Sequence, residues 1–206
     1  MKPAILVTGG VGYIGSHTVV ELIQAGFEVL IVDDLSNSSI EVLDSIRKIT
    51  GVKPDFEQFN LQDRQKTRAL LAAHPQIQAV IHFAASKAVN ESVEKPLLYY
   101  RNNLVPLLNL IESMHETGPA NFLFSSSCTV YGQPDQLPVT EETPRQQAES
   151  PYGNTKMICE DILRDSARAY GRLKVISLRY FNPIGAHESG LIGELPRGIP
   201  NNLVPY

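Results

Sequence analysis

The chain has 206 residues, 43% of them apolar and 19% charged, and a net charge of −4. That suffices for one large domain with a sizeable core, or one domain plus part of another. The acidic balance gives no reason to expect nucleic acid or a membrane surface as a partner. No apolar run approaches the length that crosses a bilayer, so a cytoplasmic protein is expected.

The four apolar residues Ala4 to Val7 read as a short buried strand, a glycine-rich turn follows, and Ile14, Thr18, Leu22 and Ile23 then recur at helical spacing. Gly9, Gly12 and Gly15 stand three apart. One glycine lets the chain turn tightly, and a second lets backbone N–H groups approach a pyrophosphate. The third lets the helix pack closely on the strand. The helix start offers N–H donors and the positive end of its dipole to phosphates. A second strand, Glu28 to Val32, is closed by Asp33, whose carboxylate can hold a ribose 2′-hydroxyl. Strand, turn, helix and acid together point to a dinucleotide site.

The alternation continues. Ser36 to Ser39 is a polar turn expected to N-cap a helix from Ile40 to Ile49. Phe56 to Leu61 reads as a weaker strand, Arg64 to Ala73 as a helix, and Ala79 to Phe83 as a strand buried on both faces. A long helix is expected from Pro96 to Glu116 with a kink at Pro106. The next strand, Asn121 to Phe124, runs into Ser125, Ser126 and Ser127. A loop spans Gly132 to Ser150, and a helix begins with Ser150 as N-cap and Pro151 at its first position. Val175 to Leu178 is the sixth strand. A βαβ series of this kind predicts an α/β, doubly wound parallel sheet of Rossmann type. Residues 181–206 lack a periodic element and end on an apolar run, so the chain reads as cut short there.

Tyr152 and Lys156 stand four apart at the start of a helix, so both project from one face. An ammonium beside a phenol favours phenolate, which makes tyrosine usable as an acid or base. In an open α/β sheet, ligands bind at the carboxyl ends of strands. Of the three serines at such an end, one is expected to serve chemistry and two only the turn. His17, His74, His82, His115 and His187 are scattered without metal-ligand spacing, so no metal is expected. Cys128 and Cys159 read as buried thiols, and Glu141, Glu142 and Arg145 as a solvated loop face.

The glycine turn, Thr8 to His17, and Ser150-Pro151-Tyr152-Gly153-Asn154-Thr155-Lys156 resemble the extended short-chain dehydrogenase/reductase superfamily. Five further stretches narrow the resemblance to the UDP-glucose 4-epimerase family: Ile81 to Ala85, Lys87 to Val93, Phe124 to Gly132, Leu178 to His187 and Gly198 to Leu203. The resemblance implies an NAD-dependent enzyme that epimerises a UDP-hexose at C4, interconverting UDP-glucose and UDP-galactose. Residues 1–180 would be the NAD-binding domain, and 181–206 the start of a substrate-binding region whose remainder is missing. A homodimer through the long helices is left open.

The same resemblance assigns roles. Tyr152 would be the base, Lys156 its electrostatic partner and nicotinamide-ribose ligand, and Ser127 the hydroxyl that orients the sugar. Tyr13 and Ile14 would line the pyrophosphate turn. Asp33, Asp34, Leu35, Ser36, Asn37 and Ser38 would hold the adenosine ribose, and Asn60 with Leu61 the adenine. Phe83, Ala84, Ala85, Ser86, Lys87 and Asn102 would pass beside the cofactor, with Phe181 packed near the nicotinamide. Asn182, Asn202 and Leu203 would contact the nucleotide sugar. Asn60 stands where the family carries Asp. Two rivals are kept: another sugar-nucleotide epimerase or dehydratase, and a catalytically silent dinucleotide-binding module. Dehydration is disfavoured because Cys128 and Thr129 hold the places of the Asp-Glu pair that eliminates water.

Overall fold

Strand β1 (Ala4–Thr8) is buried along its whole length, and its alternate residues serve both faces of the sheet. In the computed structural model, which describes residues 3–195, Leu6 enters one apolar core and Val7 the other. Six parallel strands form the sheet in the order β3, β2, β1, β4, β5, β6, with β2 (Glu28–Asp33), β3 (Asp55–Gln58), β4 (Ile77–His82), β5 (Asn121–Ser127) and β6 (Lys174–Tyr180). β1 pairs on one side with β2, Thr8 opposite Val32, and on the other with β4, Thr8 opposite His82. The strand order reverses at that point, so the loops after β1 and β4 diverge and leave a crevice at the carboxyl edge.

Helices α1 (Tyr13–Gln24) and α2 (Val42–Thr50) cover one face through Val19, Val20, Leu43 and Ile46. Helices α3 (Arg64–Ala73), α5 (Pro96–Thr117) and α6 (Pro151–Ala169) cover the other, where Leu70, Leu107, Leu110 and Leu163 meet Phe122 and Phe124. Among the described residues no helix is long and apolar enough to cross a membrane.

The differences from the sequence reading have local causes. Helix α2 starts at Val42 with Glu41 as its cap residue, and no side chain caps it. The Ser39 hydroxyl instead accepts the Glu41 N–H in the turn ahead of it, 3.3 Å away. β3 stops at Gln58, so Asn60 and Leu61 lie beyond it. α5 continues through Pro106, which is buried in its middle. Helix α4 (Val89–Glu94) was not foreseen. It is too short for a period to show, and the Tyr99 hydroxyl holds it, donating to Glu91 at 2.9 Å and accepting from Ala88 N at 3.1 Å. Strand β5 takes in all three serines and leads into a 3₁₀ turn at Cys128–Tyr131. Ser150 is the N-cap of α6 as expected, accepting the Gly153 N–H at 3.1 Å.

Candidate active site

The glycine turn is built around close backbone contacts. Gly9 has φ +70 and donates to the Val32 carbonyl at 2.8 Å. A Cβ there would lie 2.7 Å from Ala84 N, so the turn rests directly on the loop after β4. A Cβ on Gly15 would lie 2.2 Å from the Gly9 carbonyl oxygen. The third glycine therefore lets the helix close on the turn itself. Gly10, which the spacing rule passes over, is equally constrained, because a Cβ would meet Ile31 Cγ2 at 2.8 Å. Helix α1 has neither a capping side chain nor an acid in its first turn, which leaves its first N–H groups for an anion. A bare backbone cradle of this shape fits a pyrophosphate.

Asp33 ends β2 beside that cradle. Its Oδ1 accepts from Leu35 N at 3.0 Å and from the Ser38 hydroxyl at 2.8 Å, and the Val11 amide also faces it. Burial raises its carboxyl above the usual range, and those three donors oppose the rise. Leu35, with φ 61, is the strained residue that folds the 33–38 loop back on the carboxylate. Asp34 accepts from Ser36 N and, at 2.8 Å, from the Asn60 amide. Asn60 in turn accepts the Gln62 N–H, and the Gln62 side chain donates to Asn102 at 2.8 Å. Asn102 donates to the Ser86 hydroxyl at 3.2 Å. This chain of bonds lines the carboxyl edge from β2 to the loop after β4. The Leu61 side chain faces the core rather than the edge, so its backbone is the part placed beside Asn60.

Phe83 and Ala84 hang from Thr8 by their N–H groups. Ser86 is held at both backbone atoms by Asn103, a buried amide that also donates to Thr155 Oγ1 at 2.9 Å. Lys87 pairs with Glu194 at 3.1 Å. The Tyr13 hydroxyl donates to the Gly185 carbonyl at 2.6 Å, so this side chain ties the last described segment to the turn.

Tyr152, Lys156 and Ser127 do converge. Lys156 is 4% exposed, and its ammonium donates to the Ser125 carbonyl at 2.8 Å. It stands 4.9 Å above the Phe124 ring and 5.8 Å above the Tyr152 ring. Burial pulls its pKa down to about 8. The phenol departs from the expectation that lysine would lower it: burial raises the Tyr152 pKa, and the Ser127 hydroxyl is the contact that opposes the rise. Desolvation of the buried phenol is the dominant cause. Beneath the pair, His82 is buried between Phe122 and Phe124, with Nδ1 2.7 Å from Thr8 Oγ1. Burial, with the Lys156 charge, lowers its pKa to about 3, so the ring is neutral.

Three readings need correction. Ser126 is not a turn serine; it donates to the buried Glu160 carboxylate at 2.6 Å. Arg145 is not on a solvated face, because it packs on α6 and reaches Asp161 at 2.5 Å. Cys128 is only half-buried, whereas Cys159 is buried. Phe181 is 59% exposed, beside the Tyr131 ring, and Asn182 is exposed next to it. Asn202 and Leu203 lie outside the described residues. Among the described residues no group of three His, Cys, Asp or Glu could hold a metal ion. The sequence reading missed Asn103 and Glu160, although Glu160 lies one helical turn beyond Lys156.

The profile of the NAD dependent epimerase/dehydratase family matches residues 5–202. The UDP-glucose 4-epimerases of Haemophilus influenzae and Bacillus subtilis are each 53% identical to the chain, over 98% of its length. The chain spans about 60% of the Haemophilus relative. A crystal structure of the Stenotrophomonas maltophila UDP-glucose-4-epimerase, with bound NAD and formylated UDP-arabinopyranose, superposes with a TM-score of 0.95 at 49% identity. It covers 98% of this chain and 60% of that one. The Bifidobacterium longum enzyme, in complex with NAD+ and UDP, gives 0.95 at 47% identity. With turn, acid, tyrosine and lysine placed on one crevice and a match along nearly its whole length, the chain belongs to the NAD dependent epimerase/dehydratase family.

Proposed function

We propose that this chain carries the cofactor-binding and catalytic part of a UDP-hexose 4-epimerase, interconverting UDP-glucose and UDP-galactose in galactose metabolism. The observation that carries the reading is the convergence of the glycine cradle with Tyr152, Lys156 and Ser127 at one carboxyl edge. Residues 1–180 would bind NAD, residues 181–206 would begin the substrate region, and the cytoplasm is the expected compartment. A homodimer through the long helices, of which α5 exposes Leu97, Leu98 and Leu108, belongs to the same reading.

The chemistry supplied by bound NAD is reversible acceptance of a hydride at C4. The chain's own residues do the rest. Gly9, Gly12 and Gly15 keep side chains out of the pyrophosphate cradle, and Asp33 takes the adenosine ribose and disfavours a 2′-phosphate. Asn60, Asn102 and the Phe83 to Lys87 loop flank the cofactor. Tyr152 takes the proton of the sugar 4-hydroxyl and returns it after the sugar has turned over. Ser127 hydrogen-bonds the same oxygen, while Lys156 holds the nicotinamide ribose and adds positive charge. Phe181 and Asn182 bound the sugar's side of the crevice.

A coupled UDP-galactose assay tests this, run on the chain and on a version extended to family length. The chain alone should turn over little, because the resemblance places most UDP anchors in the family's carboxyl-terminal third. The extended version should be active, and Tyr152→Phe in it should lower kcat by about 10²- to 10⁴-fold. Turnover within about threefold of the parent would remove Tyr152 as the base and the reading with it.

A further inference from the structure

Glu160 is an ionised group in a place that needs explanation. It is 8% exposed, two turns along α6 from Tyr152, and its carboxylate is the meeting point of three other segments. Ser126 at the end of β5 donates to Oε1 at 2.6 Å. Arg179 at the end of β6 spans both oxygens, 3.0 Å through Nε and 2.8 Å through Nη2. Arg145, from the 132–150 loop, approaches Oε2 at 3.5 Å and also donates to the Met157 carbonyl. The Arg179 guanidinium lies over the Tyr131 ring at 4.8 Å. A bidentate arginine on a buried carboxylate fixes orientation as well as distance. What it orients here are the residues just before Ser127, the helix that carries Tyr152 in its first turn, and the strand that leads to Phe181.

We propose that Glu160 is a positioning residue of this site: with Ser126 and Arg179 it holds the end of β5 against α6, so that the Ser127 hydroxyl faces the Tyr152 phenol. This rests on the reading of Ser127 and Tyr152 as the reacting pair. The competing explanation is that the cluster only stabilises the fold. Buried ion pairs contribute little net stability compared with apolar replacements of similar volume, so the two roles separate experimentally.

The test compares the parent chain with Glu160→Leu/Arg179→Met and with Ser126→Ala, each also made with Tyr152→Phe. Tyrosinate absorbance against pH, taken as the difference between each protein and its Tyr152→Phe counterpart, isolates one phenol of the eight. The double replacement should keep a cooperative melt near the parent's, yet move the Tyr152 titration up by about one pH unit as the Ser127 contact loosens. Ser126→Ala removes one hydroxyl donor, too little to unfold the chain, and should move the titration the same way by about half as much. A titration unchanged in Ser126→Ala, or in a folded double variant, would overturn the positioning role. Failure of the underlying reading shows elsewhere, as turnover that survives Tyr152→Phe in the extended enzyme.

Discussion

The two ends of the sheet are finished differently. At the β3 edge the strand is four residues long, Asp-Phe-Glu-Gln, three of them exposed and polar, a short charged edge of the kind that resists further pairing. Beside it, α1 and α2 cover one face and α3 and α5 the other. The β6 edge is seven residues long and carries Ile176 and Leu178 on the face that α1 and α2 cover elsewhere, opposite Leu123 and Ser125 of β5. Ile176 is 61% exposed. Among the described residues no helix lies over that part of the sheet. The β3 end is thus covered on both faces, whereas the β6 end leaves apolar side chains uncovered on one face.

The strongest way to break the covered end is Gly15→Ala. The methyl group would overlap the Gly9 carbonyl, so turn or helix must move. A loss of about 3 kcal/mol in stability is expected, with NAD affinity falling by at least about a hundredfold. Gly171→Ala, where a Cβ meets nothing within 4 Å, is the control and should stay within about 0.5 kcal/mol. Urea unfolding and NAD titration read both; an unaffected Gly15→Ala would mean that the turn has slack.

A second experiment reads the seam between the two ends. Burial holds the His82 pKa down to about 3 in the folded chain, below the 6.5 of a free histidine. The unfolded chain therefore takes up the proton first. The stability from keeping this ring neutral is fully present above pH 6.5 and declines as pH falls toward 3, by about 1.4 kcal/mol per unit. His82→Gln should flatten that part of the slope between pH 6.5 and 5, measured by urea midpoints. Parallel slopes for parent and variant would show that the ring is not held neutral.

The smallest effect belongs to the open end. Ile176→Ser and Leu178→Ser should change stability by no more than about 0.5 kcal/mol each, read from urea midpoints. A loss above about 2 kcal/mol in either would mean that this face is already packed.

The same contrast explains what the sequence made legible. The β1 turn and α1, the Asp33 position and the Ser150 cap with Pro151 are local devices, set by residues a few positions apart, and they appear where the pattern puts them. Helix α4 escapes, because one tyrosine from α5 holds it and not its own periodicity. Ser126 and Arg145 are misread because their partners on α6 lie 34 and 16 residues away. Asn60, Gln62 and Asn102 form a line only once β2, the turn before α3, and α5 reach the same edge. Lys156 follows Tyr152 by one turn of α6, as the spacing requires, but its bond to Ser125 depends on strand β5 extending through the serines.

The central claim is that the crevice at the carboxyl edge of β1, β2 and β4 is an NAD site. The direct measurement is to purify the folded chain without added nucleotide, denature it and identify what is released. NAD is the predicted product, in an amount approaching one per chain, since the ribose role proposed for Asp33 would set a carboxylate against a 2′-phosphate and the proposed reaction never discharges the cofactor. NADP, or no nucleotide from a chain that melts cooperatively and fails to take up added NAD, would contradict it.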